Sequence, residues 1–239
     1  MASGEEATVP GGEMNIAQGD RACVGGGASN EASGEESTIP GGFNNTASGL
    51  RSFAAGRRAM ALHNGSFVWA DNLNQGIKSS SANNQFNVYA NGGTRIFSSS
   101  TLGAETGVML APGGRSWTSV SDRDAKENVE MVNGRRVLEQ LASVPVSTWS
   151  YKAQDDSIRH MGPMAQDFYA AFGLGVDERG IDTIDADGVA LAAIKGLSEL
   201  FAEKDAEVEA LRARVYELEK LQGEISSLRA AVSALAGTE

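Results

Sequence analysis

Ala2-Ser3-Gly4-Glu5-Glu6-Ala7-Thr8-Val9-Pro10-Gly11-Gly12 returns as Ala32-Ser33-Gly34-Glu35-Glu36-Ser37-Thr38-Ile39-Pro40-Gly41-Gly42, a shift of 30 residues. Half that step lies inside it. Asn15, Asn30 and Asn45 recur every 15 residues, as do Ala17, Ala32 and Ala47, and Gly19, Gly34 and Gly49. Val9, Val24 and Ile39 keep the same phase, each followed within three residues by a Gly-Gly pair. Such a period is too short for a helical-hairpin repeat and suits one turn of a β-solenoid. Short strands are expected around Val9, Val24, Ile39 and Phe53, alternating with glycine turns that accept positive φ. Each coil offers only one Val or Ile and two Ala to bury. That area is small against the entropy of ordering a coil, so neighbouring chains are expected to supply more.

Composition divides the chain. Residues 1–120 hold 20 of the 29 glycines, with 9 acids against 7 bases; residues 121–239 hold 22 acids against 13 bases. The net charge of −11 argues against nucleic acid as a partner, because phosphate neutralisation needs a basic surface. No apolar run approaches the roughly 20 residues of a membrane span, so no membrane insertion is expected. The start, Met1 to Glu6, lacks the basic end and apolar core of a signal peptide. Cys23, His63 and His160 are too few for a structural zinc site, and no metal or cofactor is expected. Starting within a repeat points to a piece of a longer fibre.

The 15-residue spacing resembles the heads of trimeric bacterial adhesins (YadA-like) and the collar segments of phage tail fibres. Beyond residue 62 the repeat dissolves. Ser66–Ala70 reads as a strand, and Gln85–Phe97 as two strands about an Asn91-Gly92 hairpin turn. Asn64-Gly65-Ser66 matches a glycosylation sequon, for which a simple turn is the expectation. Phe86, Tyr89 and Phe97 are expected to pack between subunits.

At the other end, Ile194, Leu197, Phe201, Lys204, Val208, Leu211, Val215 and Leu218 step by 3 and 4. Leu221, Ile225, Leu228, Val232 and Leu235 resume the stripe after a stammer. The pattern predicts a coiled-coil helix, its stripe roughly 63 Å long at about 1.5 Å per residue. Asp187 is the expected N-cap and Gly237 the expected stop. Lys204 is a polar break in the seam. Asp182, Asp185 and Asp187 lack the glycine and terminal glutamate placement of a calcium loop.

Where the composition changes, the chain reads Ser121-Asp122-Arg123-Asp124-Ala125-Lys126-Glu127-Asn128-Val129, followed later by His160-Met161-Gly162-Pro163-Met164-Ala165-Gln166-Asp167. Spacing alone makes Ser121 and Lys126 weak evidence of catalysis. The two strings together, in order and behind a β-fibre, resemble the intramolecular chaperone auto-processing domain of phage endosialidases, tail spikes and L-shaped tail fibres. Val137–Leu141 suits a short helix within it and Val146–Tyr151 a strand. Gln166 and Asp167 are expected to cap or brace a helix over 168–172.

That resemblance implies self-cleavage by a serine–lysine dyad, with Ser121 as nucleophile and Lys126 as general base. The cut then falls beside Ser121, among Val120, Ser121 and Asp122. Within one chain, attack on the Val120 carbonyl closes a five-membered ring, whereas attack on the serine's own carbonyl needs a strained four-membered one. Attack from a neighbouring chain would lift that restriction. Arg123, Asn128, His160 and Gln166 are supporting candidates.

The expected fold is mixed. An all-β trimeric solenoid (1–65) and β-fibre tip (66–120) precede a small α+β chaperone core (121–186) and a trimeric coiled-coil helix (187–239). The expected partner set is a homotrimer with a host cell-surface receptor or glycan. The expected location is the virion or, for a prophage-encoded chain, a bacterium or its surface. The alternative is a non-cleaving trimeric bacterial adhesin or stalk, which predicts an intact chain with a membrane anchor. A host-glycan-processing enzyme lacks support, since residues 1–120 show no paired-carboxylate site.

Overall fold

The computed structural model describes residues 1–73, 76–99 and 106–236, with positions 234–236 in backbone only. The expected helix stop at Gly237 and the Leu235 seam side chain lie outside the described residues. The chain divides into two compact units, Met1–Asn128 and Val129–Glu239.

The first unit opens with a β-solenoid of about 5 turns. Its strands are β1 (Ile16–Ala17), β2 (Cys23–Val24), β3 (Glu31–Ala32), β4 (Thr38–Ile39), β5 (Gly42–Phe43), β6 (Thr46–Ala47), β7 (Phe53–Arg57), β8 (Ala59–Ala61), β9 (Phe67–Ala70), β10 (Lys78–Ser79) and β11 (Phe86–Tyr89). One parallel sheet stacks β1, β3, β6, β8 and β10; the other stacks β2, β4, β7, β9 and β11. Register follows the repeat, Ala17 beside Ala32 and Ala32 beside Ala47, Val24 beside Ile39. The strands around Val24, Ile39 and Phe53 are as expected, while the strand expected around Val9 is reduced to a bridge from Thr8 to Cys23. The sheet through the recurring alanines was not foreseen, because a two-residue strand leaves no alternation to read.

Three repeated residue types have separate physical causes. The alanines and Val24, Ile39 and Val68 fill a fully buried core that admits only small side chains. The asparagines form a buried ladder: Asn30 Nδ2 donates to Asn15 Oδ1 at 3.1 Å, and Asn45 Nδ2 to Asn30 Oδ1 at 3.0 Å. Gly34 is required by contact, since a Cβ there would lie 2.2 Å from the Gly49 carbonyl oxygen. The expectation that glycines supply the positive φ holds only in part. Gly27 does so (φ 81), yet Glu6, Arg21, Glu36 and Arg51 also take φ of 55–58 at the same phase in successive coils.

The strict step ends, but the coil continues. Phe53 pairs with Phe67 after 14 residues and Phe67 with Phe86 after 19. The rings stack at 4.8 and 4.6 Å between centroids. The expected hairpin about Asn91-Gly92 does not form. The strand β11 instead closes the solenoid parallel to β9, and Asp71 on the preceding coil accepts from the Asn91 backbone and side-chain amides. At the sequon, Gly65 adopts φ 64 and Asn64 Oδ1 accepts the Leu50 N–H, a turn as expected.

Past the solenoid, β12 (Thr94–Phe97), β13 (Gly107–Leu110) and β14 (Thr118–Ser119) form an antiparallel sheet in that order.

In the second unit, α1 (Gly134–Ser143) is capped by Asn133, whose Oδ1 accepts the Arg136 N–H at 3.1 Å. The strands β15 (Ser147–Trp149) and β16 (His160–Gly162) pair antiparallel, Trp149 opposite His160. Then come α2 (Ala165–Phe172) and the 54-residue α3 (Thr183–Ala236). Val137, Phe168, Val189 and Ala193 form the core where α1, α2 and the start of α3 meet. A Cβ at Gly196 would lie 2.2 Å from the Gly134 carbonyl oxygen, so these two glycines set how closely α1 approaches α3.

Two helix starts differ from expectation. The helix α3 begins at Thr183, and Asp182 rather than Asp187 caps it, accepting the Ile184 N–H at 2.9 Å. The helix α2 starts at Ala165 after Met164, so Gln166 and Asp167 lie within its first turn rather than before it. Asp167 there favours the positive end of the helix dipole.

Candidate functional site

Ser121 stands two residues beyond β14, whose Ser119 pairs with Val108. The Val120 N–H still donates to the Gly107 carbonyl at 3.4 Å; the chain then leaves the sheet. It turns at once. The Asp124 N–H donates to Asp122 Oδ1 at 3.0 Å, and the Lys126 N–H donates to the Arg123 carbonyl at 3.1 Å. The result is that Lys126 Nζ donates to Ser121 Oγ at 2.8 Å. Both residues are exposed in the single chain.

That pair is the one chemically suggestive contact among the expected site residues. A charged amine at this distance donates to the hydroxyl; a neutral amine at the same distance can accept the hydroxyl's proton, which is what a general base does. Arg123 and Asn128 lie exposed in the same loop, and Asn128 adopts φ 54.

His160 and Gln166 belong to the second unit. His160 stacks on Trp149 at 4.9 Å between centroids, and its Nε2 is 2.8 Å from Gln154 Oε1. Its contacts are those of a packed, hydrogen-bonded ring. Gln166 is exposed on α2. Sequence reading missed Asp122 as the residue that forms the turn, although an aspartate two positions before a backbone N–H is the signature of an Asx turn.

Two family matches support a tail-fibre or adhesin-like protein. Residues 121–176 match the family model described as chaperone of endosialidase, a family linked to autoproteolytic chaperone domains. Residues 37–49 match the ubiquitous surface protein adhesin repeat. No curated protein matches the chain. Among the described residues no helix is long and apolar enough to cross a membrane.

Proposed function

We propose that this chain is a segment of a phage tail fibre or tail spike that assembles as a homotrimer and then cuts itself beside Ser121. The 2.8 Å contact of Lys126 Nζ with Ser121 Oγ, at the end of the fibre sheet and inside the region matching the chaperone family, carries the reading. In it, residues 1–65 and 66–120 are the fibre, 121–186 the chaperone core and 187–239 the trimerising helix.

The helix supports assembly. Along α3 the apolar stripe stays open to solvent, from 41% at Leu197 to 65% at Leu228. A stripe so long and narrow calls for parallel partners, and the fibre's symmetry favours three. Three chains held in register raise the effective concentration of the fibre strands, whose long-range pairing is otherwise slow.

Trimer formation would take water from Lys126. Desolvation disfavours its charged form and lets the neutral amine accept the Ser121 proton. The oxygen then attacks the Val120 carbonyl. The acyl group passes from the Ser121 nitrogen to its Oγ, and the lysine proton goes to the freed amine. Water hydrolyses the ester, leaving a Val120 carboxylate and a restored Ser121 hydroxyl. Attack by a neighbouring chain's serine would admit the 121–122 bond as well. Once cut, the fibre cannot rebuild from an unfolded state with the same helper, so its persistence becomes kinetic.

Intact-mass analysis with light scattering tests this. Wild type should give two fragments meeting beside Ser121, while Ser121→Ala and Lys126→Ala remain full-length trimers. The N-terminus of the C-terminal fragment reads out the bond. The adhesin-repeat match favours the second reading, a permanent trimeric adhesin, for which wild type stays whole. A host receptor or glycan would bind the fibre in either case.

A further inference from the structure

We propose that Asp122 is a positioning residue for self-cleavage: its carboxylate holds the Asx turn that folds Lys126 back onto Ser121. This rests on the self-cleavage reading above. Five residues of extended chain span about 17 Å at roughly 3.3–3.6 Å each, far beyond what a lysine side chain bridges. The hydrogen bond from the Asp124 N–H to Asp122 Oδ1 and that from the Lys126 N–H to the Arg123 carbonyl fold this path. Ser121, Asp122, Asp124 and Lys126 are all exposed, so burial does not fix the loop within the chain; its local hydrogen bonds do.

What the turn needs from position 122 is an acceptor, not a charge. Asparagine presents the same Oδ1 and forms the same turn. Alanine leaves the Asp124 N–H to water and lets the loop populate open forms in which the amine is away from the hydroxyl. A role for the carboxylate's charge, such as tuning Lys126 or moving a proton, makes the opposite forecast, because Asn fails it as fully as Ala does.

The test follows cutting of the full chain over time after cell-free synthesis, by intact mass, with Ser121→Ala as the uncut reference. Asp122→Ala should slow cutting about ten- to a hundredfold, the scale of losses from misplacing a reacting group. Asp122→Asn should stay within about twofold of wild type with an unmoved pH profile, the expectation for an acceptor that only orients. Asp124→Ala, which removes a neighbouring carboxylate but keeps the backbone donor, controls for loop charge. Equal rates for Asp122→Ala and wild type, or an Asp122→Asn chain as slow as Asp122→Ala, overturn the proposal. Light scattering of Ser121→Ala/Asp122→Ala should give the same trimer as Ser121→Ala. A lost trimer also overturns it, since the turn would then serve assembly instead of the dyad. A wild type that never cuts sinks the parent reading; a wild type that cuts beside an equally fast Asp122→Ala sinks only this inference.

Discussion

Asn30 shows how one residue type becomes obligatory. Its Nδ2 donates to Asn15 Oδ1 and to the Gly26 and Gly42 carbonyls, while its Oδ1 accepts from the Asn45 backbone and side-chain amides. Asn15 and Asn45 are 3% and 0% exposed, so their side chains cannot turn to water instead. Asn30→Ala therefore strands several buried groups and should cost on the order of 3 kcal/mol, read from the solenoid's unfolding midpoint. Asn30→Asp should do no better, because it replaces a donor to two carbonyls with a repelled anion. The spacing of these asparagines was plain in the sequence. Their purpose was not, because asparagine at a turn and asparagine in a buried ladder look alike until the next coil is placed.

At the level of elements, contact geometry decides the sign of a substitution. Gly196→Ala in α3 gains helix propensity, by up to about 1 kcal/mol. Its new Cβ would nevertheless meet the Gly134 carbonyl, and separating α1 from α3 should outweigh the gain, leaving a net loss of about 1–3 kcal/mol. Gly223→Ala, where a Cβ meets nothing within 4 Å, should instead stabilise the helix by up to about 1 kcal/mol. Helical melting of the two variants tests the contrast.

The solenoid's surface carries a ladder of the same kind in charge. Glu36 accepts from Arg51 Nε at 2.6 Å and from Arg21, and these hydrogen bonds, Arg51's first, hold its carboxyl below the ordinary carboxylate range. A depressed folded value means that the contribution is present above the usual Glu value of about 4.3 and is lost as pH falls through the folded one. Glu36→Gln should flatten that acid limb of solenoid stability. The effect should be small and should shrink in salt, since the pairs are exposed.

For the whole molecule, assembly and cutting are forecast to fail together. Leu211→Asp/Val215→Asp places charges in the middle of the exposed α3 stripe and should give a monomer that stays full-length. A monomer that cuts at the wild-type rate would separate the two events and show that Lys126 needs no partner chain. Restoring trimer formation with a fused trimerising coil should restore cutting, which distinguishes failed assembly from a damaged helix.

The 15-residue period, the identity of the core side chains and the long helix were readable from residue order alone. In each, a position meets its own copy, or its own helical neighbour, at a fixed interval, so the physics repeats along the chain. The partner of Phe86–Tyr89 was decided only by tertiary structure, whereas the Asp182 cap and the Asp122 turn that sets Lys126 against Ser121 are local contacts, each to a backbone N–H two residues on. Asn91-Gly92 carries a hairpin signal, yet the Phe53–Phe67–Phe86 stack and the Asp71 carboxylate offered β11 a partner from an earlier coil. Competition between a local turn and a distant surface is settled by the free energy of the folded whole, which no single stretch of residues contains.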